Sequence, residues 1–159
     1  MKNSERDNPV EMTRHFNSLG GVKTPWVLTG MDHSAREFWT GLLMEEVNEF
    51  RLENSASRQM KEIADILYVA VGTAMMLGLT WQEVMELFVM VHDSNMTKVS
   101  GGAEKSESGK IMKSSSYIPA QERIDVWLSA YWVRQGRHAG VLQIDDPNPR
   151  TCYASSPGS

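Results

Sequence analysis

Apolar residues recur at helical spacing over most of the chain, and this pattern predicts an all-α protein. They repeat at intervals of three and four residues in four or five segments, which are separated by stretches rich in Gly, Pro, Ser and Asn. Strict alternation of apolar and polar residues is almost absent, and residues 141–144 are a short candidate for an extended segment. We therefore expect four or five helices and no internal repeat.

Helix-capping residues predict where these helices begin. Asn8 is followed by Pro9, which suits the first position of a helix. Capping-box patterns at Ser34 and Thr80 predict the starts of the second and fourth helices. Pro119 suits the start of a last helix.

The third predicted helix covers residues 58–77, with Gly78 just after its end, and it is the most apolar part of the chain. From residue 66 onward it is apolar nearly all round. A helix that is apolar on every side is expected to be buried on every side. Because a small domain has difficulty burying such a helix alone, we expect a partner subunit to cover part of it.

Two stretches interrupt the periodicity and are predicted to be loops. Residues 22–33 contain Pro25 and Gly30, and residues 100–116 are rich in Gly, Ser and Lys and are predicted to be mobile. Trp26 lies in the first loop. We expect its ring to pack under that loop, and lining of a ligand pocket is the alternative.

Two pairs of carboxylates are spaced so that the members of each pair share one helix face. Glu46 and Glu49 lie on the second predicted helix, and Glu62 and Asp65 lie on the third. The turn between these helices, at residues 54–57, is short, so the helices should pack antiparallel. Four carboxylates would then converge, and their mutual repulsion requires a positive counter-charge.

The counter-charge has two possible sources, and simple solvation of the acidic face is a third interpretation. Basic side chains near the carboxylates are Arg51, Arg58 and Lys61. We favour a divalent cation instead. Di-iron sites in helical bundles use a Glu-x-x-His motif, and no histidine of this chain follows a glutamate at that spacing. An all-oxygen set favours Mg²⁺, with Mn²⁺ as a substitute, and such sites usually take substrate phosphates as further ligands.

Basic residues further along the chain indicate that a polyphosphate binds together with the metal ion. Lys98 follows Asn95 by three residues, so both lie on one face near the end of the fourth predicted helix. Lys110 and Lys113 follow in the predicted mobile loop. Ordinary solvation of these lysines is the alternative. With the acidic residues they point to phosphoryl or nucleotidyl chemistry.

Composition and charge limit the class of partner. A length of 159 residues allows one domain with a core, and a net charge of -4 argues against binding to a nucleic-acid polymer.

Cys152 is the single cysteine, so we expect no internal disulfide and a cytoplasmic location. The N-terminal residues contain no apolar run, which predicts no signal peptide. The longest apolar run, residues 66–79, is too short to span a bilayer, so we expect no membrane association.

Several of these motifs occur together in one known superfamily. They are Glu45-Glu46-x-x-Glu49, Glu62-x-x-Asp65, Gly72-Thr73-Ala74, residues 91–98, residues 109–113 and Tyr117-Ile118-Pro119. In this combination the chain resembles the MazG-like all-α nucleotide pyrophosphohydrolases, which include dimeric dUTPases and phosphoribosyl-ATP pyrophosphohydrolases. The likeness extends over roughly residues 34 to 120 and is greatest to the small phage and bacterial MazG-like proteins. A phage-encoded member would work in the host cytoplasm.

The resemblance implies a fold and residue roles. It implies a four-helix bundle that is completed by oligomerisation into dimers or tetramers, within a domain over residues 1–135. The tail, residues 136–159, is irregular and matches no family that we can name. Mg²⁺ would be bound by four carboxylates: Glu46, Glu49, Glu62 and Asp65. Water would be oriented or deprotonated by Glu45 or Glu46. The nucleotide would be contacted by Asn95, Lys98, Lys113 and Tyr117.

The implied reaction is attack of water on the α-phosphorus of a nucleoside triphosphate, with release of pyrophosphate. Purine deoxynucleotides, dGTP or dATP, are the expected substrates because the phage-type proteins are the nearest resemblance. A base would stack on Trp26, Phe38 or Trp39. Alternatives are the same fold acting on dUTP or phosphoribosyl-ATP, and a non-enzymatic helical interaction module with a solvated acidic face.

Overall fold

The computed structural model describes residues 7–100 and 105–135, and these residues form an all-helical structure. Its helices are α1 (Pro9–Leu19), α2 (His33–Leu52), α3 (Ala56–Met76), α4 (Trp81–Thr97) and α5 (Gln121–Arg134). The predicted all-α class is confirmed. The described residues divide into two units, residues 7–81 and residues 82–135. The predicted domain boundaries stay a prediction, and the tail with its candidate extended segment lies outside the described residues.

The first helix begins where its capping residue predicts. The side chain of Asn8 accepts a hydrogen bond from the backbone N–H of Glu11 at 3.2 Å, and Pro9 occupies the first helical position. The N–H groups of the first turn have no partner within the helix, so this bond stabilises its start.

Helix α4 begins at Trp81, directly after Thr80 as predicted, whereas the starts of α2, α3 and α5 differ from the predicted ones by one or two residues. Helix α2 is capped by Asp32, whose carboxylate accepts from the N–H of Ala35 at 2.7 Å, so the prediction of Ser34 as its start is wrong. The extended backbone of Asp32 lets its carboxylate reach that N–H before Ser34 can cap. Helix α3 begins at Ala56 because Ser55 caps it, and α5 begins two residues after Pro119.

Helices α2 and α3 pack antiparallel in the first unit. Trp39, near the start of α2, lies against Gly72, near the end of α3; a Cβ atom at Gly72 would come within 2.7 Å of the indole ring. At the opposite end of the pair, Lys61 of α3 reaches Glu49 of α2. Trp39 is only 8% exposed, so the absence of a side chain at Gly72 sets how closely the two helices approach.

Helix α1 covers a second side of α3. The rings of Phe16 and Tyr68 meet edge to face, with centroids 6.1 Å apart. The loop after α1 is held at the end of α3, where the N–H of Thr29 donates to the carbonyl of Leu77 at 2.9 Å. Gly78 has a positive φ of 78°, and a side chain there would collide with the backbone of the same loop.

Trp26 does not pack under its loop, so that prediction is wrong. Its ring is 74% exposed and lies under the guanidinium of Arg14, which is 4.1 Å from the ring centroid. Arg14 also donates to the hydroxyl of Thr24 and the carbonyl of Pro25, at 2.8 Å each. A cation over the face of the ring stabilises Trp26 without burying it.

Helix α3 is not buried on every side within a single chain. Leu67 is 61% exposed, and Ile63 and Tyr68 are also exposed. Within the single chain, α1 and α2 cover only part of the circumference of α3, so the expected burial of every side would need a partner subunit. Oligomerisation stays a prediction.

The second unit is held together by polar contacts along α4. The indole N–H of Trp127 donates to the carboxylate of Glu86 at 2.8 Å, and this bond, with a weaker contribution from Gln82, lowers the pKa of Glu86. Arg123 pairs with Asp93 at 3.1 Å. Within the predicted mobile loop, residues 101–104 lie outside the described part, and the remainder contains an isolated antiparallel bridge.

Among the described residues, no single helix is long and apolar enough to cross a membrane, although α3 and α4 taken together meet the criteria of length and composition.

Replacing Gly72 with Ala should destabilise the first unit by about 1–3 kcal/mol, because the new methyl group forces the buried Trp39 ring to move. Gly41→Ala on α2 is the matched control. Its Cβ meets nothing within 4 Å, so better helix propensity should stabilise the chain by roughly 0.5–1 kcal/mol. Urea unfolding measures both changes, and shifts of the same sign would contradict the proposed contact.

Candidate functional site

Three carboxylates from two helices converge in the first unit. Oxygens of Glu46, Glu49 and Glu62 all lie within 4.8 Å of one another. Glu46 and Glu49 share one face of α2 because they are three residues apart, and the antiparallel packing of α3 brings Glu62 to the same point. We call these three residues, together with Asp65, the acidic cluster.

The ammonium group of Lys61 lies among the carboxylates of the acidic cluster. Its Nζ atom is 2.9 Å from Oδ2 of Asp65, 3.0 Å from Oε2 of Glu62 and 3.6 Å from Oε2 of Glu49. Lys61 is one of the three basic residues that the sequence offered as counter-charges. Arg58 pairs instead with Glu53 at 3.7 Å, and Arg51 bonds to Asn48.

Asp65 joins the cluster through Lys61. It is not among the three residues whose oxygens lie within 4.8 Å of one another, but it contacts the same ammonium group as Glu49 and Glu62. Its negative charge also raises the pKa of Glu46. The structure therefore brings three of the four predicted ligands together and places Asp65 beside them.

Burial and charge make the cluster costly to maintain. Glu62 is only 3% exposed. Burial raises the pKa of Glu46, and repulsion from Asp65 and Glu49 raises it further, whereas Lys61 acts in the opposite direction. Hydrogen bonds to Asp65 and Glu62 raise the pKa of Lys61 above its usual value. Repulsion among the acids therefore favours any cation that reaches them.

The donor set fits a hard divalent cation. All donors in the cluster are carboxylate oxygens, which Mg²⁺ and Mn²⁺ prefer. Ligands on opposite sides of Mg²⁺ are about 4.2 Å apart, since each bond is about 2.1 Å long. The observed spread of at most 4.8 Å is close to that separation, so small side-chain rotations would bring the oxygens into contact with one ion.

Glu45 lies outside this group. It is exposed, and its carboxylate is not among the three that converge. It precedes Glu46 directly, and successive residues point to different sides of a helix. Of the two predicted candidates for activating water, Glu46 lies inside the cluster and Glu45 outside it.

A largely apolar cavity of about 700 Å³ opens beside the same two helices. Its lining includes Phe38, Trp39 and Leu42 from α2 and Val69 and Gly72 from α3, with further residues from α1. Leu42 precedes Glu46 by four residues, so the cavity begins roughly one helical turn, about 5.4 Å, from the cluster. Trp39 presents little surface to it, whereas the adjacent Phe38 is largely exposed. Trp26 is not part of this lining.

The four residues predicted to contact the nucleotide beyond α3 come together in the second unit. Lys98 donates to the side-chain oxygen of Asn95 at 2.6 Å. The ammonium groups of Lys98 and Lys113 lie 5.4 Å and 4.7 Å from the ring centroid of Tyr117. Among the described residues, neither lysine forms an ion pair with a carboxylate, so their charges are available to an anion.

Two residues of the first unit make contacts that the sequence patterns did not single out. Lys61 was one of three candidate counter-charges, although its spacing of four residues from Asp65 is a readable helical signal. Gly72, whose missing side chain admits Trp39, was noted only as part of a motif.

Comparison with known families agrees with the site. The sequence model of the phosphoribosyl-ATP pyrophosphohydrolase family matches residues 24–95, a segment that contains α2, α3, the acidic cluster and Asn95. Lys98, Lys113 and Tyr117 lie beyond it. No curated protein matches the chain. The family confirms the predicted enzyme class, a hydrolase that cleaves a phosphoanhydride bond. Residues 24–95 therefore match a family of the MazG-like all-α nucleotide pyrophosphohydrolase superfamily, in agreement with the resemblance of the motifs.

Proposed function

We propose that the protein hydrolyses nucleoside triphosphates, with purine deoxynucleotides as the preferred class, to the monophosphate and pyrophosphate. The observation that carries this proposal is the convergence of Glu46, Glu49 and Glu62, within the segment that matches a pyrophosphohydrolase family. Three acidic side chains at one point repel a polyanionic substrate unless a cation intervenes. A metal-dependent reaction is therefore the chemistry that suits this site.

The acidic cluster would hold Mg²⁺, or Mn²⁺ in its place, through Glu46, Glu49, Glu62 and Asp65. When bound, the ion supplies positive charge that neutralises phosphate oxygens and makes a nearby water molecule more acidic. The carboxylates define where that charge lies. Because Glu62 is buried, its position is fixed by the packing of α3 against α2.

Glu46 would orient the water that attacks the α-phosphorus and accept its proton. Its carboxylate is half-buried within the cluster, and burial, with repulsion from Asp65 and Glu49, raises its pKa, so that the ionised carboxylate is a stronger proton acceptor. Glu45 stays a second candidate because it is exposed at the preceding position of the same helix.

The base of the substrate would enter the apolar cavity. A volume of about 700 Å³ is within the range of small-molecule pockets. Phe38 offers an exposed ring for stacking, and Trp39 supports it edge to face with centroids 5.9 Å apart. In the second unit, phosphate would be bound by the positive charges of Lys98 and Lys113. The nucleotide would also be contacted by the amide of Asn95 and by Tyr117.

Phosphoribosyl-ATP is a second candidate substrate, favoured by the family whose sequence model matches residues 24–95. It presents the same kind of phosphoanhydride bond, so the acidic cluster suits it equally. The two candidates differ in what is attached to the purine, and dUTP, a further alternative, differs in the size of its base.

We also propose that copies of this chain assemble into a dimer or tetramer in the cytoplasm. Leu67 and Phe88 are both more than half exposed, and apolar side chains of this size gain stability when a second copy covers them. The mass of the particle in solution, measured by light scattering, tests this. A monomer at micromolar concentration would contradict it.

A panel of dNTPs, NTPs and phosphoribosyl-ATP, incubated with the protein and Mg²⁺, should yield a monophosphate product and pyrophosphate. We expect dGTP or dATP to be hydrolysed with the highest kcat/KM. Mass spectrometry identifies the products. Release of single phosphates would contradict attack at the α-phosphorus, and preference for phosphoribosyl-ATP would select the second candidate.

Glu49→Gln and Asp65→Asn should each lower kcat/KM by at least about 100-fold, since losing even an outer contact to a metal ligand costs roughly 10–100-fold. Mg²⁺ should raise the melting temperature of the unaltered chain, because binding to the folded state stabilises it, and both variants should lose most of this rise. Glu37→Gln, on the same helix and paired with His33, is the matched control. Full turnover by Glu49→Gln would contradict the site.

A further inference from the structure

The position of Lys61 has a consequence for the binding of metal. Its ammonium group contacts one oxygen from each of Glu49, Glu62 and Asp65, at 3.6, 3.0 and 2.9 Å. These three side chains are also among the proposed ligands for Mg²⁺. A divalent cation coordinated by the same carboxylates would lie within a few ångströms of Nζ, and the two positive charges would repel each other.

The side chain of Lys61 is free to leave this position. It is 60% exposed, whereas the carboxylate of Glu62 below it is nearly inaccessible. A lysine side chain has a flexible four-carbon stem, and its ammonium group is strongly hydrated, so water can replace its contacts once a metal ion neutralises the carboxylates. The acids, in contrast, extend from two packed helices, and the carboxylate of Glu62 is held by its burial.

We propose that Lys61 is an internal counter-ion, which holds the acidic cluster together and competes with Mg²⁺ for its oxygens, so that metal binding displaces the ammonium group. The inference rests on the proposed function, because it requires that the cluster bind Mg²⁺. Competition weakens the affinity for the metal alone. The phosphates of a substrate add negative charge and shift the balance toward the metal, which couples metal loading to substrate binding.

Arg58 provides a matched control for the charge of Lys61. It lies three residues earlier on α3, carries the same charge, and pairs with Glu53 at 3.7 Å, outside the acidic cluster. Removing its charge tests the general electrostatic effect of a cation on this helix. Removing that of Lys61 tests the competition as well.

The first test is calorimetric titration of the full chain with Mg²⁺ alone. Lys61→Met should bind Mg²⁺ about tenfold more tightly than the unaltered chain, the size expected for removing a unit charge a few ångströms from a divalent ion in a solvent-accessible site. Arg58→Met should stay within about twofold, because its charge is further away and is screened. The melting temperature of Lys61→Met without Mg²⁺ should fall, and its rise on adding Mg²⁺ should exceed that of the unaltered chain.

The second test follows the ammonium group directly. Its proton resonance, assigned by its absence from the spectrum of Lys61→Met, should broaden as Mg²⁺ is added and Nζ is released to water. Lys61→Gln replaces Lys61→Met if the latter fails to fold. An unchanged resonance at saturating Mg²⁺, or equal affinities of Lys61→Met and Arg58→Met, would overturn the competition alone. No binding of Mg²⁺ by the unaltered chain would overturn the metal site of the proposed function and the competition together.

Discussion

The packing of α2 against α3 forces like charges into one place, and the chemistry of the protein depends on how that repulsion is compensated. Trp39 against Gly72 sets the register of the two helices at one end, and at the other end this register places Glu46 and Glu49 opposite Glu62. Apolar packing therefore holds the carboxylates where electrostatics alone would separate them. A site built in this way has a strong preference for cations before any substrate arrives.

Those features of the fold that depend on neighbouring residues were predictable from the sequence. Asn8 caps α1 because its side chain needs only an N–H three residues away. The acids of each pair share a face because helical geometry fixes their relation. The prediction of Ser34 as a helix start failed because Asp32, two residues before it, caps the helix, and local patterns do not rank two acceptors so close together.

Other features depend on contacts between distant parts of the chain, and spacing alone does not reveal them. Trp26 stays exposed because its ring is stabilised by the guanidinium of Arg14, on the preceding helix, and not by burial under the loop. The bond from Lys61 to Asp65 follows helical spacing, but its contact with Glu49 needs the register of α2 and α3. For the same reason, the sequence offered three possible counter-charges and could not choose among them. The proximity of Asn95 and Lys98 was predictable from their spacing, whereas the approach of Tyr117 to Lys98 depends on the path of the long loop between them.

The sign of the charge at the acidic cluster determines the order in which ligands can bind. Four carboxylates and one ammonium group leave a formal charge of -4 + 1 = -3, and a polyphosphate approaching that charge is repelled. A divalent ion reverses part of this charge, but it also approaches Lys61. Metal and polyphosphate each relieve the repulsion that opposes the other, so their binding should be mutually favourable, as linkage requires. If the proposed function holds, the same acids that repel a bare nucleotide would select one that arrives with its cation.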